Sequence, residues 1–130
     1  MPTKEDTNLL INTIRFSEAV INLGSTMIFD AASHNKPCAY VNYNTSKKID
    51  KNWSVEKIYK YIHFKSMPTK HAVVWINSEE KIIESILELL DNPKKYSNNA
   101  KMWMNIINKP PHTNATSCIW NEISIILNED

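Results

Sequence analysis

Val20-Ile21-Asn22-Leu23-Gly24-Ser25-Thr26-Met27-Ile28-Phe29-Asp30-Ala31-Ala32 decides how this chain is read. It holds the one glycine among 130 residues, where average usage would supply about nine. Turns elsewhere must therefore rely on Asn, Asp, Pro and Ser. The position that kept glycine is one where the backbone needs positive φ or a close approach. Ala19-Val20-Ile21, just before it, suits a buried strand, while Met27, Ala31 and Ala32 recur at helical spacing. A strand, a Gly-Ser-Thr turn and a helix place N–H groups and two hydroxyls at the positive end of a helix, which suits an anion. Equally, Ser25 or Thr26 can be the N-cap of an ordinary helix. These residues alone leave both readings open.

Asp30 follows Gly24 by six positions. Its carboxylate can accept two hydrogen bonds from vicinal hydroxyls such as those of ribose. Asn35-Lys36-Pro37 closes the helix, and Cys38-Ala39-Tyr40-Val41 reads as the next buried strand. This series, over about residues 16–42, resembles the donor-binding core of GT-B glycosyltransferases. It is also similar to the related glycerophosphotransferases and non-hydrolysing sugar-nucleotide epimerases. The resemblance implies that Gly24, Ser25, Thr26 and Met27 hold a nucleotide diphosphate and that Asp30 holds the ribose. Asp30 stands where many members have the longer Glu. It further implies a nucleotide-sugar donor as substrate, with no separate cofactor or metal, and a role in bacterial surface polysaccharide biosynthesis. Within the same fold, an epimerase or glycerophosphotransferase fragment is the alternative. If Gly-Ser-Thr is only a cap, the chain is a non-enzymatic interaction module.

Composition narrows the classes. A net charge of +1 with 42% apolar residues fits a domain with a core and excludes a polybasic nucleic-acid binder. Arg15 is the only arginine, so bidentate phosphate recognition is nearly absent. Cys38 and Cys118 belong to no Cys-x-x-Cys pair and read as buried free thiols in a reducing compartment. No apolar run approaches the roughly 20 residues of a membrane span, and the N-terminus lacks a signal-peptide core, so the expected location is cytoplasmic. His34, His63, His71 and His112 are spaced too widely for a zinc motif; His34 reads as a partner of its helix's C-terminal dipole.

The remaining elements follow from periodicity. A helix over 4–15 is capped by Thr3 or Asp6. Residues 43–52 read as a surface loop, and the resemblance puts donor-sugar contacts at Asn42 and Asn44, although the family's Asp-Gln pair is missing. Ser54 caps a helix over 55–63 with Val55, Ile58, Tyr59 and Ile62 on one face. Lys57 and Lys60 then form its wet face rather than a nucleic-acid patch. A third strand spans 72–76. Asn77 or Ser78 caps a helix with Ile82, Ile83, Ile86, Leu87 and Leu90 as its buried face. Pro93 starts a helix striped by Tyr96, Ala100, Trp103, Met104 and Ile107, which Pro110 and Pro111 stop. Thr113 or Asn114 caps a last helix to Leu127, with Ile119, Ile123, Ile126 and Leu127 apolar. In the family the final helices brace the domain.

The expectation is thus an α/β chain, a single partial Rossmann-like domain over 1–130. It has three layers, parallel strands at 19–22, 38–41 and 72–76, and a helical C-terminal tail. The opening helix has no strand before it, whereas a parallel unit would supply one. The first strand should therefore expose an apolar edge, filled by a missing N-terminal domain or by self-association. No catalytic base is identifiable; the resemblance puts it on the missing domain or the cleft between. A branched residue at Gly24 should block ligand approach at modest cost to stability.

Overall fold

The computed structural model describes residues 2–46, 49–50, 52–108 and 115–128. The fold class read from the sequence is the one observed. Three parallel strands, β1 (Val20–Asn22), β2 (Cys38–Val41) and β3 (Val74–Ile76), form a sheet in the order β1-β2-β3. The register sets Val20 against Cys38, Asn22 against Tyr40, Tyr40 against Trp75, and Val41 against Ile76. Alternation then puts Val20, Cys38 and Tyr40 on one face and Ala39, Val74 and Ile76 on the other.

Helix α1 (Lys4–Phe16) starts at a capping box. The Thr3 hydroxyl accepts from the Asp6 N–H at 3.1 Å, and the Asp6 carboxylate accepts from the Thr3 N–H at 2.8 Å. Those bonds hold the Asp6 carboxyl below its usual range. Helix α2 (Met27–Ser33) links β1 to β2 and buries Ile28, Ala31 and Ala32. It ends in a Schellman motif: Lys36 N–H donates to the Ala31 carbonyl and Asn35 N–H to that of Ala32. Asn35 takes φ +61° there, a glycine's usual role in a chain with one glycine.

Between β2 and β3 the expected helix over 55–63 is broken in two. Helix α3 (Val55–Ile58) and helix α4 (Ile62–Lys65) are separated by Tyr61, whose backbone is extended. The break brings Phe64 into the core beside Ile58 and Tyr40 and leaves Ile62 84% exposed. An unbroken helix would have put Ile62 above Ile58. A 3₁₀ turn at Lys70–Ala72 shortens the third strand at its start.

After β3, a 3₁₀ turn at Glu79–Lys81 precedes α5 (Ile82–Asp91). The expected buried face of α5 is wrong. Leu89 and Ser85 face the sheet, Ile82 and Ile86 flank them, and Ile83, Leu87 and Leu90 are exposed. Nearly continuous apolar sequence let either stripe look like the core, and the small Ser85 sits where the helix meets the sheet. Helix α6 (Pro93–Asn108) begins beside α5, with Tyr96 packed near Leu89, and crosses to the opposite face. There Ala100 and Trp103 join Ile14, Val20, Ile28 and Cys38 in the larger core. The Trp103 ring meets Phe29 edge-on at 4.9 Å and its N–H donates to the Ser66 hydroxyl at 2.9 Å.

Helix α7 (Ala115–Asn128) does not brace the domain as expected; all its residues are exposed. Cys118 lies on it and is exposed, so only Cys38 is the buried thiol the sequence suggested. The expected stops and caps at Pro110, Pro111, Thr113 and Asn114 lie outside the described residues, as does His112. Strand β1 stands at the edge of the sheet, with Ile21 46% exposed.

Gly24 has φ +55°, and a Cβ there would lie 2.4 Å from Ile58 Cγ2, 3.3 Å from Tyr59 and 3.4 Å from Phe64. The collision is with the protein's own core, so the expected modest cost of substitution is corrected upward. Gly24→Ala should lower stability by about 2 kcal/mol or more, from strain plus overpacking. In urea melts, adding Ile58→Ala should recover part of the loss, giving a non-additive pair.

Candidate binding site

The carboxyl ends of the three strands all carry asparagine: Asn22 ends β1, Asn42 follows β2 and Asn77 follows β3. Ligands of open parallel sheets bind at this edge. The first amide is turned inward. Asn22 Oδ1 accepts from the Ser25 N–H at 3.0 Å, and its Nδ2 donates to Cys38 Sγ at 3.3 Å. The other two meet each other, Asn42 Nδ2 donating to Asn77 Oδ1 at 2.8 Å. That bond leaves the Asn42 carbonyl and the Asn77 amino group to face outward partners.

A cleft of about 370 Å³ opens beside them, lined by Asn42, Tyr59, Lys70, Trp75 and Asn77. Its size is that of a small-molecule site. Trp75 is fixed from behind by its indole N–H, which donates to the Lys70 carbonyl at 2.9 Å. Tyr59 and Trp75 rings meet edge-on at 4.9 Å, and Tyr40 backs both at 5.6 and 5.7 Å. The Tyr59 hydroxyl donates to the Val41 carbonyl, and the Gly24 N–H faces its oxygen. Burial pushes the Tyr59 phenol up to about 12, so it is neutral at ordinary pH and serves as a wall rather than a base. Burial pushes Cys38 up to about 12 as well, keeping it a thiol. Among the described residues that line the cleft there is no carboxylate or imidazole. The Lys70 ammonium, two amides and an indole face are groups that can hold a polar ring or an anion.

The residues singled out from the sequence separate into three groups. Asn42 lines the cleft. Gly24, Ser25, Thr26 and Met27 form the β1–α2 turn, on the far side of Tyr59. Two of that turn's N–H groups already have partners: Ser25 N–H on Asn22, and Met27 N–H on the Ser25 hydroxyl at 3.2 Å. The Ser25 carbonyl accepts from the Tyr40 hydroxyl at 2.8 Å, and Thr26 is the N-cap of α2 without a side-chain bond. A diphosphate at this turn would have to displace those bonds. Asp30 is exposed on α2, with no hydrogen bond or ion pair from its carboxylate to another described residue. Asn44 is occupied otherwise: its Oδ1 accepts from the Val55 N–H at 3.1 Å and its Nδ2 reaches Glu56 at 3.3 Å. It thus caps α3, the role expected of Ser54, which makes no cap bond.

Tyr59, Lys70, Trp75 and Asn77 were not singled out as ligand residues from the sequence. The signal was present for one of them. Each of the three strand runs is followed at once by asparagine, at Asn22, Asn42 and Asn77. The other three depend on the α3–α4 break and the 3₁₀ turn, which no periodicity announces.

Among the described residues, no group of three or more His, Cys, Asp or Glu side chains is placed to hold a metal ion. None of their helices is long and apolar enough to cross a membrane. No family model, curated protein or solved structure matches the chain.

Two measurements check this geometry. Asn44→Ala should cost about 1 kcal/mol, the value of an N-cap, and leave the cleft's ligand binding unchanged. The Tyr59 phenol has its pKa raised on folding, so its contribution is fully present below about pH 10 and lost as pH rises through 12. Unfolding midpoints should fall over that window, and the fall should be shallower in Tyr59→Phe.

Proposed function

We propose that this chain is the nucleotide-sugar-binding portion of a cytoplasmic glycosyltransferase of surface polysaccharide biosynthesis. The observation that carries the reading is the cleft at the carboxyl edge of a parallel sheet, with an aromatic wall, two amides and a cation. The donor lies across that edge. A ring of the sugar or base rests on Trp75, and hydroxyls meet the Asn42 and Asn77 amides. Lys70 faces the anionic diphosphate and favours the negative charge that develops as the nucleoside diphosphate departs. The Gly24–Met27 turn carries the diphosphate from the β1 side, and Asp30 carries the ribose. The acceptor site and catalytic base belong to a separate N-terminal half, which joins through the exposed β1 edge.

The tryptophan in the wall makes the test direct. Titration with nucleoside diphosphates and their sugar conjugates should quench fluorescence in the parent and far less in Trp75→Leu. Lys70→Ala should weaken a diphosphate about tenfold or more, as expected for a lost charged contact. Asp30→Asn should weaken a ribonucleotide more than its 2′-deoxy analogue. The internally bonded β1–α2 turn favours a second reading, an interaction module whose Gly-Ser-Thr is purely structural. Parent protein that binds no nucleoside diphosphate at millimolar concentration supports that second reading against the first.

A further inference from the structure

Helices α5 and α7 each carry an exposed apolar stripe that no described residue covers. On α7, Ile119, Trp120, Ile123, Ile126 and Leu127 recur at i, i+1, i+4, i+7 and i+8, and all are exposed, Leu127 by 73%. Asn121 and Asn128 lie on the opposite side with the exposed Ile125 beside them, and no described residue covers the wider apolar stripe. A lone helix of this length is marginal in water. On α5, Ile83, Leu87 and Leu90 recur at i, i+4 and i+7 on the side away from the sheet, Ile83 74% exposed. The spacing of the α5 stripe equals that of Ile119, Ile123 and Ile126, which is what one helix needs to pack along another.

The stripe of α5 lies out of reach of its own α7. The C-terminal half of α6 sits on the sheet face opposite α5, with Trp103 against Phe29 and the Lys101 ammonium on Asn35. Leu89 holds α5 on the other face, against Ala39, Val74 and Ile76. Asn108 and Ala115 are seven Cα steps apart, which span at most about 25 Å. The path from α6 through the sheet and α5 to a helix lying outside α5 crosses three layer spacings of roughly 10 Å each, before any detour round the sheet's edge.

We propose that α7 of one copy packs its Ile119/Ile123/Ile126 stripe onto the Ile83/Leu87/Leu90 stripe of α5 in a second copy, and receives the same in return about a two-fold axis. The exchange is self-complementary, as a two-fold interface must be. Six stripe side chains at each contact offer roughly 100 Å² apiece, so two contacts bury on the order of 1,200 Å², the lower end for a stable interface. An anionic membrane is the poorer cover, since α7 carries Glu122 and no lysine or arginine. The three-residue β1 edge offers far less surface than either stripe. The inference does not depend on what the cleft binds.

Light scattering across a concentration series on the full chain tests it. The parent should dimerise, and Leu87→Glu and Ile123→Glu should each weaken the dimer by about tenfold or more while keeping the parent's circular dichroism. Each substitution is at an exposed site of the single chain, so the fold should survive. The double variant Leu87→Lys/Ile123→Glu should regain dimer through opposite charges. Mixing the two single variants should give heterodimers, because one intact contact remains between a good α7 and a good α5. A parent that is monomeric throughout the series overturns the proposal. So does a dimer broken by Ile21→Lys and untouched by Ile123→Glu, which would place the interface on β1. Ile123→Glu that lowers thermal stability without changing mass would place α7 on its own chain and also overturn it.

Discussion

Gly24 meeting Ile58, Tyr59 and Phe64 is the contact on which the carboxyl edge depends. A backbone at φ +55° turns β1 into α2, and the missing side chain lets the α3–α4 segment lie directly on that turn. The segment is then tied down at its ends and middle: Asn44 starts α3, the Tyr59 hydroxyl holds the Val41 carbonyl, and Phe64 plugs into the core against Tyr40 at 5.8 Å. Without the contact, Tyr59 would have no fixed place, and the wall between turn and cleft would go with it. The same packing explains why asparagine serves at Asn35, where positive φ is needed, but not at residue 24. Asn35 sits at a helix end with room for a side chain that receives the Lys101 ammonium.

The three strand-ending asparagines divide the edge by function. At β1 the amide and the turn's N–H groups satisfy each other, so this end is consolidated as structure. At β2 and β3 the amides bond once to each other and keep valences outward. The outward amide valences therefore lie one strand over from the glycine turn, beside Trp75. A second, smaller recess of about 230 Å³ lies on the other side of Lys70 and Trp75. There the Tyr96 hydroxyl donates to Glu88, and burial with that carboxylate raises the phenol to about 12.

Apolar surface is in excess on the outer helices. The sheet is three strands wide, and a helix lying on it can bury only one stripe. Helix α5 carries two, and α7 carries one that no described residue covers. Hydrophobic burial scales with area removed from water, so such surface favours association whichever partner provides the cover. Elsewhere the core is closed: Trp103, Tyr40 and Tyr96 are fully buried, with no buried side-chain polar atom lacking a partner among the described residues.

Much of the fold was legible because it is locally encoded. Short apolar runs located β2 without error and β1 and β3 to within two residues, and Thr3, Asn35 and Pro93 marked helix ends through cap geometry that involves only neighbours. The turn at Gly24 was legible for the same reason, since positive φ is a one-residue property. Of the cleft's lining residues, Asn42 was the one the sequence pointed to. Asn44 looked like a loop ligand because its partner, the Val55 N–H, is eleven residues away and appears only once α3 has folded back. The broken helix, the choice between two apolar stripes on α5, and the alignment of Tyr59, Lys70 and Trp75 round one cleft were decided by tertiary structure. Each depends on which surfaces meet, and a chain whose helices are apolar on more than one side leaves that choice to packing.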